Sequence, residues 1–516
     1  PPVPKPHFAI LAVAADSRYV LFVNGRRVAA GKDAGKANWH ILGNNLQVGR
    51  NVIAVRVDAA KGRPATLAIG IRQSYFGGER RELKAQRWLC SAKAGKNWFQ
   101  PDFKADGWVE ARRLAPLAGG PLGEPEQSFD GPRRSCLMRK EFSLPAKPTR
   151  ARLYVTGLGW YRIHINGMRV GCDEFRPGWT QYEKRLQYQV YEVTELLREG
   201  RNAIGAILGN GWWSSGLGWA GGNERHAKPG ENLRLLAQLE IETAGGCKYT
   251  ISTDGTWSWH FGPIVEDTIY HGEHYDARLA QPGWDRPGFD AFGWHPVKVL
   301  GVAEPGKLCA QKCEPVRVTQ VLKPVKITEP KPGLYVLDFG QNHSGRPRLK
   351  LQAPRGTKVT IELAEILRPD GLIDDINLRS ARATDVYICR GGAEETWEPA
   401  FTYHGYRYAQ VSGLPARPTA ETIVSHVLHN ATLPAGKFDC SNKLLNRIWR
   451  NVLWGQRSNF MSVPTDCPQR DERLGWLGDA QAFCPTSIWN MHMAAFYTKW
   501  LRDILDAQQP DGAVPG

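Results

Sequence analysis

Hydrophobic and polar positions alternate with a period of two over most of this chain and change to a period near 3.6 only close to its end. Tyr19-Val-Leu-Phe-Val23 and Tyr161-Arg-Ile-His-Ile165 alternate as half-buried strands do. Each runs directly into Asn-Gly, at Asn24-Gly25 and Asn166-Gly167, the strongest short hairpin signal in a sequence because both turn positions need positive φ. A second motif recurs in the same order: Leu46-Gln-Val-Gly49-Arg50-Asn51 returns as Leu197-Arg-Glu-Gly200-Arg201-Asn202, each followed by aliphatic residues. A third echo joins Pro101-Asp-Phe-Lys-Ala-Asp-Gly107-Trp108 to Pro287-Gly-Phe-Asp-Ala-Phe-Gly293-Trp294. Three echoes in one order predict two copies of a single module, each a β-sandwich.

From about Pro315 a third β region follows. Tyr335-Val-Leu-Asp338, Val359-Thr-Ile-Glu-Leu363 and Tyr387-Ile-Cys389 are short strands separated by turns such as Pro354-Arg-Gly356 and Pro369-Asp-Gly371. Near Gly436 the period lengthens. Asn442 offers an N-cap, and Leu444, Leu445, Ile448, Trp449, Val452 and Leu453 fall on one face of a predicted helix. A second helix is predicted from about Met491 to Ala507. The expected division is 1–130 and 131–303 for the two sandwich copies, 304–435 for the third β region, and 436–516 for a helical part.

Composition changes this picture little. At 516 residues the chain is too long for one core. No run of about 18 apolar residues occurs, so no membrane span is expected. The net charge of +16 would admit nucleic acid, yet the 67 basic residues are scattered and no nucleic-acid motif spacing is present. Nucleic acid is therefore not an expected partner. Ten thinly spread cysteines, with a lone CxxxC at Cys309 and Cys313, predict reduced thiols rather than a zinc site, and leave export undecided. Many of the 19 tryptophans are flanked by glycine. Most are expected in the cores, with Trp212, Trp213 and Trp219 the candidates for stacking on a sugar. Glu273 and Asp276 are candidates for calcium or a sugar hydroxyl, or members of a satisfied loop. His404 is unassigned.

Chemistry is concentrated in Asp466-Cys-Pro-Gln-Arg-Asp-Glu-Arg-Leu-Gly-Trp-Leu-Gly-Asp479, which holds four carboxylates, two arginines and a tryptophan. Pro468, Gly475 and Gly478 predict a loop between the two helices. Glycoside cleavage needs a carboxyl that keeps a proton for the leaving oxygen and a second that activates water or attacks the sugar. Repulsion and burial among Asp466, Glu472 and Asp479 would raise one pKa as that chemistry requires, while Arg470 or Arg473 holds another carboxyl ionised. A charged loop of internal salt bridges is the plainer alternative.

This run resembles the signature of the bacterial α-L-rhamnosidases of glycoside hydrolase family 78. Gly178-Trp179-Thr180, Gly211-Trp212-Trp213 and Gly272-Glu273 resemble that family's N-terminal module as well. The resemblance implies several sandwich (jelly-roll) domains followed by an α/α barrel of six helical hairpins. It implies Glu472 as general acid, with Asp466, Trp476 and Asp479 binding the rhamnose ring, Arg470 as a further pocket residue, and Asp471 as structural. It also implies rhamnose-containing glycosides or polysaccharides as substrate and no cofactor or metal. The family's second carboxylate, a glutamate acting as base, lies further along the barrel. Only about 80 residues follow Gly436, room for about three helices, so the chain is expected to hold the acid half of the site and to turn over little alone. A carbohydrate-binding protein of several sandwiches, or a related α/α-barrel glycosidase acting on another sugar, are the competing readings.

Overall fold

The computed structural model describes residues 8–15, 18–31, 38–41, 51–58, 67–74, 80–83, 88–93, 97–100, 102–111, 134–217, 233–301 and 306–514. Leu46–Arg50, Pro101 and Trp219 lie outside the described residues. Two compact units divide the chain, Pro1–Asp130 and Gly131–Gly516.

In the first unit, Phe8–Ala15 pairs antiparallel with Asn38–Ile41 and Leu67–Ser74, and Leu67–Ser74 with Arg80–Leu83. Arg18–Val23 lies between Arg26–Gly31 and Ile53–Asp58. Tyr19, Leu21 and Val23 are buried, as the alternation predicts. Asn24 and Gly25 both take positive φ at the hairpin. The Asn24 Nδ2 donates to Asn51 Oδ1 at 2.8 Å, and its Oδ1 accepts the Val52 N–H at 2.8 Å.

The second unit repeats this lock. Asn166 Nδ2 donates to Asn202 Oδ1 at 2.8 Å and Asn166 Oδ1 accepts the Ala203 N–H at 2.9 Å. The two motifs that recur in sequence are thus bonded to each other in both copies. Here Trp160–Ile165, Gly200–Gly209, Cys136–Leu144 and Ser258–Phe261 run side by side in one sheet. Lys248–Ser252, Arg234–Thr243, Pro148–Leu158 and Arg185–Glu192 form another. Leu153, Val155, Ile163, Ile165, Leu239 and Trp257 belong to their shared core.

A larger sheet carries the third β region. Its centre is Leu334–Leu351, flanked by His404–Ser412 and Ile423–Asn430. The hairpin of Ile264–Thr268 and Gly272–Asp276 joins it through a parallel pairing with Thr384–Ile388. The tip of that hairpin is tied to the next strand by backbone bonds from Ala383 N to the Tyr270 carbonyl and from Thr384 N to the His271 carbonyl, each 3.0 Å. This matters for the site below.

The chain ends in helices Lys443–Asn459, Leu477–Asn490 and Ala494–Ala507. Asn442 caps the first as predicted, its Oδ1 accepting from Leu444 N at 2.9 Å and Leu445 N at 3.3 Å. Leu444, Leu445 and Ile448 on its apolar face are exposed. The middle helix corrects the sequence reading, which ran the loop through Gly478. Gly478 and Pro485 both lie inside the helix, and Asp479 stands in its first turn, where a carboxylate favours the exposed N–H groups. No described helix is long and apolar enough to cross a membrane. All ten cysteines are unpaired.

Candidate active site

The segment from Asp466 to Trp476 runs between the first two terminal helices and is held in shape by Arg473. This side chain is buried, with φ of 50°, and its guanidinium lies between the rings of Tyr270 and Tyr403. It donates to four backbone carbonyls: Arg470 at 3.1 Å, Gln469 at 3.0 Å, Ile269 at 2.8 Å and Tyr403 at 2.7 Å. Two of these belong to the segment and two to the β platform. Of the two arginines expected to hold a carboxylate, Arg473 does not, since its N–H groups are spent on carbonyls, and Arg470 does. The Tyr270 hydroxyl donates to the Glu472 carbonyl, a second tie to the hairpin tip.

Three of the predicted site residues meet on Glu472, which is 6% exposed. Its Oε1 accepts the Trp476 indole N–H at 3.1 Å, and its Oε2 accepts Arg470 Nε at 2.9 Å. Arg470 Nη2 also donates to Asp466 Oδ2 at 3.3 Å. Asp466 Oδ1 accepts Leu474 N at 2.9 Å. Burial first, and then the charge of Glu472, push the Asp466 carboxyl above its ordinary range against those hydrogen bonds. Asp466 and Glu472 are thus a close pair in which a proton is retained more readily than on a free aspartate.

Asp479 stands apart. It is exposed on its helix, and no hydrogen bond or ion pair of its side chain is found among the described residues. Asp471 is buried and takes the Ser380 hydroxyl and the Arg379 guanidinium, consistent with a structural residue. Sequence reasoning missed Arg379, Ser380 and Tyr270. They sit roughly 90 to 200 positions from their partners, and no local motif marks them.

Asp466, Cys467 and Glu472 bring a carboxylate, a thiol and a carboxylate within 4.8 Å of one another. Metal ligation would need the thiolate. Burial, together with the neighbouring Asp466, pushes the Cys467 thiol up to about 12. A guanidinium already bonds both carboxylates. A protonated thiol and two carboxylates already bonded by a guanidinium make a poor cation site.

Other candidates resolve differently. Trp212 and Trp213 are buried, Trp212 packing edge-on to Trp160 at 4.8 Å and stacking on Trp179 at 6.0 Å. They fill the core rather than reach for a ligand. Glu273 is buried and its Oε2 accepts the N–H groups of Ala400 and Phe401 at 2.7 and 2.9 Å. Asp276 is paired with Arg278 through both oxygens. His404 is buried with Nε2 at 3.3 Å from Asp385 Oδ1.

A buried carboxyl pair bonded to one guanidinium, with an indole N–H on one of its members, on a loop between helices, is a candidate site for proton transfer. Comparison with known proteins makes the reading specific. Residues 146–320 match the α-L-rhamnosidase N-terminal domain, 328–429 the bacterial α-L-rhamnosidase concanavalin-like domain, and 434–516 the bacterial α-L-rhamnosidase 6 hairpin glycosidase domain. The chain belongs to the bacterial α-L-rhamnosidase family. It is 41% identical over 514 residues to an α-L-rhamnosidase of Streptomyces avermitilis, covering 98% of this chain and 49% of that one. It is 37% identical over 417 residues to one of Formosa agariphila, covering 80% and 44%. The solved Streptomyces avermitilis α-L-rhamnosidase complexed with L-rhamnose superposes with a TM-score of 0.75 at 40% identity, over 100% of this chain and 50% of that one. The Dictyoglumus thermophilum enzyme gives 0.70 at 33%, over 97% and 55%. The chain spans about half the length of these relatives.

Proposed function

We propose that this protein releases terminal α-L-rhamnose from glycosides or polysaccharides by inverting hydrolysis, with Glu472 as the general acid. Asp466, Arg470, Trp476 and Asp479 would bind the sugar, Asp479 from the start of its helix. The observation that carries the reading is the convergence of the Trp476 indole N–H, the Arg470 guanidinium and the raised Asp466 carboxyl on buried Glu472. This cluster retains a proton more readily than a free carboxylate does, beside an apolar face. Glu472 would give that proton to the glycosidic oxygen. A base on the opposite ring face, roughly 6.5–9.5 Å away, would activate water. That base would come from further along the helical domain, as in the family.

The same reading extends to architecture. The two modules, 1–130 and 131–303, and the region 304–435 would be β-sandwiches, and 436–516 the opening hairpins of an α/α barrel. Pairing of Gly272–Asp276 with Thr384–Ile388 supports a closely knit junction between the second and third parts.

The test is hydrolysis of an aryl α-L-rhamnoside, beside aryl glycosides of other sugars, by the full-length gene product and its Glu472→Gln variant. Wild-type activity confined to the rhamnoside, with loss of about 10²-fold or more in kcat but retained L-rhamnose binding in the variant, is expected. Equal turnover by the two proteins would overturn the assignment.

A further inference from the structure

We infer that Arg379, on the β region rather than on the helical part, is a positioning residue for the carboxyl of Glu472. The inference rests on the reading of Glu472 as the acid. Arg379 follows the short helical turn Ile376–Leu378 and takes φ 57° and ψ −109°. Few residues other than glycine adopt such a conformation, which persists only where the surroundings enforce it. Its result is a guanidinium directed at the acid loop. Arg379 Nε lies 2.6 Å from Asp471 Oδ1, and Nη2 donates to Glu472 Oε2 at 2.9 Å and to the Asp471 carbonyl at 3.3 Å. The next residue, Ser380, bonds Asp471 through its hydroxyl.

These contacts divide the labour between the two oxygens of Glu472. Oε2 is engaged by two guanidinium groups, Arg470 from its own loop and Arg379 from the β region, whereas Oε1 meets the neutral indole of Trp476. Oε2 is therefore clamped between two cations. Arg379 thus fixes the rotation of the carboxyl and adds a second positive charge to its field. With 40% of its side chain exposed, the same guanidinium closes the outer edge of the acid. No new bond is made or broken in this role: the proton passes from Glu472 to the glycosidic oxygen as before.

The test uses the full-length gene product with Arg379→Gln and Arg379→Lys, and Glu472→Gln in parallel. The readouts are kcat and KM for an aryl α-L-rhamnoside across pH, together with the thermal midpoint. Removing a cation beside a carboxyl makes the carboxyl easier to protonate, typically by one to three pH units when the pair is close. Partial exposure places the expectation at the low end. Arg379→Gln should move the alkaline limb of kcat upward by about one pH unit and lower kcat about tenfold, with KM little changed. Arg379→Lys should return the limb toward its original position. An unmoved limb overturns the inference, whether kcat is unchanged or falls in step with the thermal midpoint, because the residue would then be a spectator or a structural tie. If Glu472→Gln itself retains full turnover, the underlying acid assignment fails instead, and the two failures are told apart by that control.

Discussion

Replacing Arg473 by methionine tests how the acid loop is held. The guanidinium donates four hydrogen bonds to backbone carbonyls, two within the loop and two, at a strand entrance and a hairpin tip, that precede it by 70 and 204 positions. Charge-assisted bonds of this kind contribute about 1.5–3 kcal/mol each, so the gross loss is roughly 6–12 kcal/mol. Two terms reduce it. Methionine no longer carries a buried charge whose desolvation costs several kcal/mol, and a water entering the vacated space would re-pair some carbonyls. A net destabilisation of about 3–5 kcal/mol remains. It should appear as a fall of several degrees in the thermal midpoint and, before global unfolding, as faster proteolysis between Asp466 and Trp476. Hydrolysis should fall with it, because Glu472 loses its fixed backbone. Arg473→Lys, with a compact ammonium in place of a planar fork, should be intermediate. A methionine variant with an unchanged midpoint and an equally protected loop would refute the argument that this side chain joins the two parts.

Other outcomes follow from the cores. Trp212→Ala should cost about 3–5 kcal/mol in denaturant unfolding while leaving the L-rhamnose affinity of the folded protein unchanged; a selective loss of affinity would restore the tryptophan as a ligand contact. Burial, and next the charge of Asp267, push Glu273 up to about 8 from an ordinary 4.5. An acid whose folded pKa is raised binds its proton more tightly in the native state, so its contribution is full below about pH 4 and is lost as pH rises toward 8. Glu273→Gln keeps the shape without the titration. Its stability, measured by urea unfolding between pH 5 and 9, should decline less with pH than that of the wild type, and parallel curves would count against a protonated Glu273.

The sequence makes the repeats readable because their determinants are local. Asn-Gly needs two positive-φ residues, and both hairpins supply them. The bonds from each hairpin asparagine to the asparagine after Gly-Arg then explain why the two motifs recur together. Where the readings failed, the contacts were distant. The glycines around Trp212 suggested a displayed aromatic face. A Cβ on Gly209 would instead lie 2.3 Å from the Phe401 ring, and one on Gly211 2.5 Å from the Trp160 ring, so these glycines admit close packing of buried rings. Gly478 argued against a helix by propensity, yet Leu477–Asn490 forms around it and accommodates Pro485 as well, as tertiary context often overrides such weak priors.

The same division explains what was legible in the site. Asp466, Arg470, Glu472 and Trp476 are bonded to one another within a span of eleven residues, so one loop conformation brings them together and one contiguous motif records it. The groups that enforce that conformation come from elsewhere. Tyr270 and the Ile269 carbonyl belong to a hairpin tip, the Tyr403 carbonyl to a strand entrance, and Arg379 and Ser380 to a short turn. Each lies on β structure fixed by its own core. A catalytic carboxyl must be held to within a fraction of an ångström, and a segment containing two arginines, a proline and several carboxylates would not hold that geometry unaided. On the proposed reading the chemistry is written in the loop, and its precision in the β platform that bonds it. Substitutions at Arg379 or Arg473 should on this account disturb proton transfer without touching any residue of the motif's acid–sugar contacts.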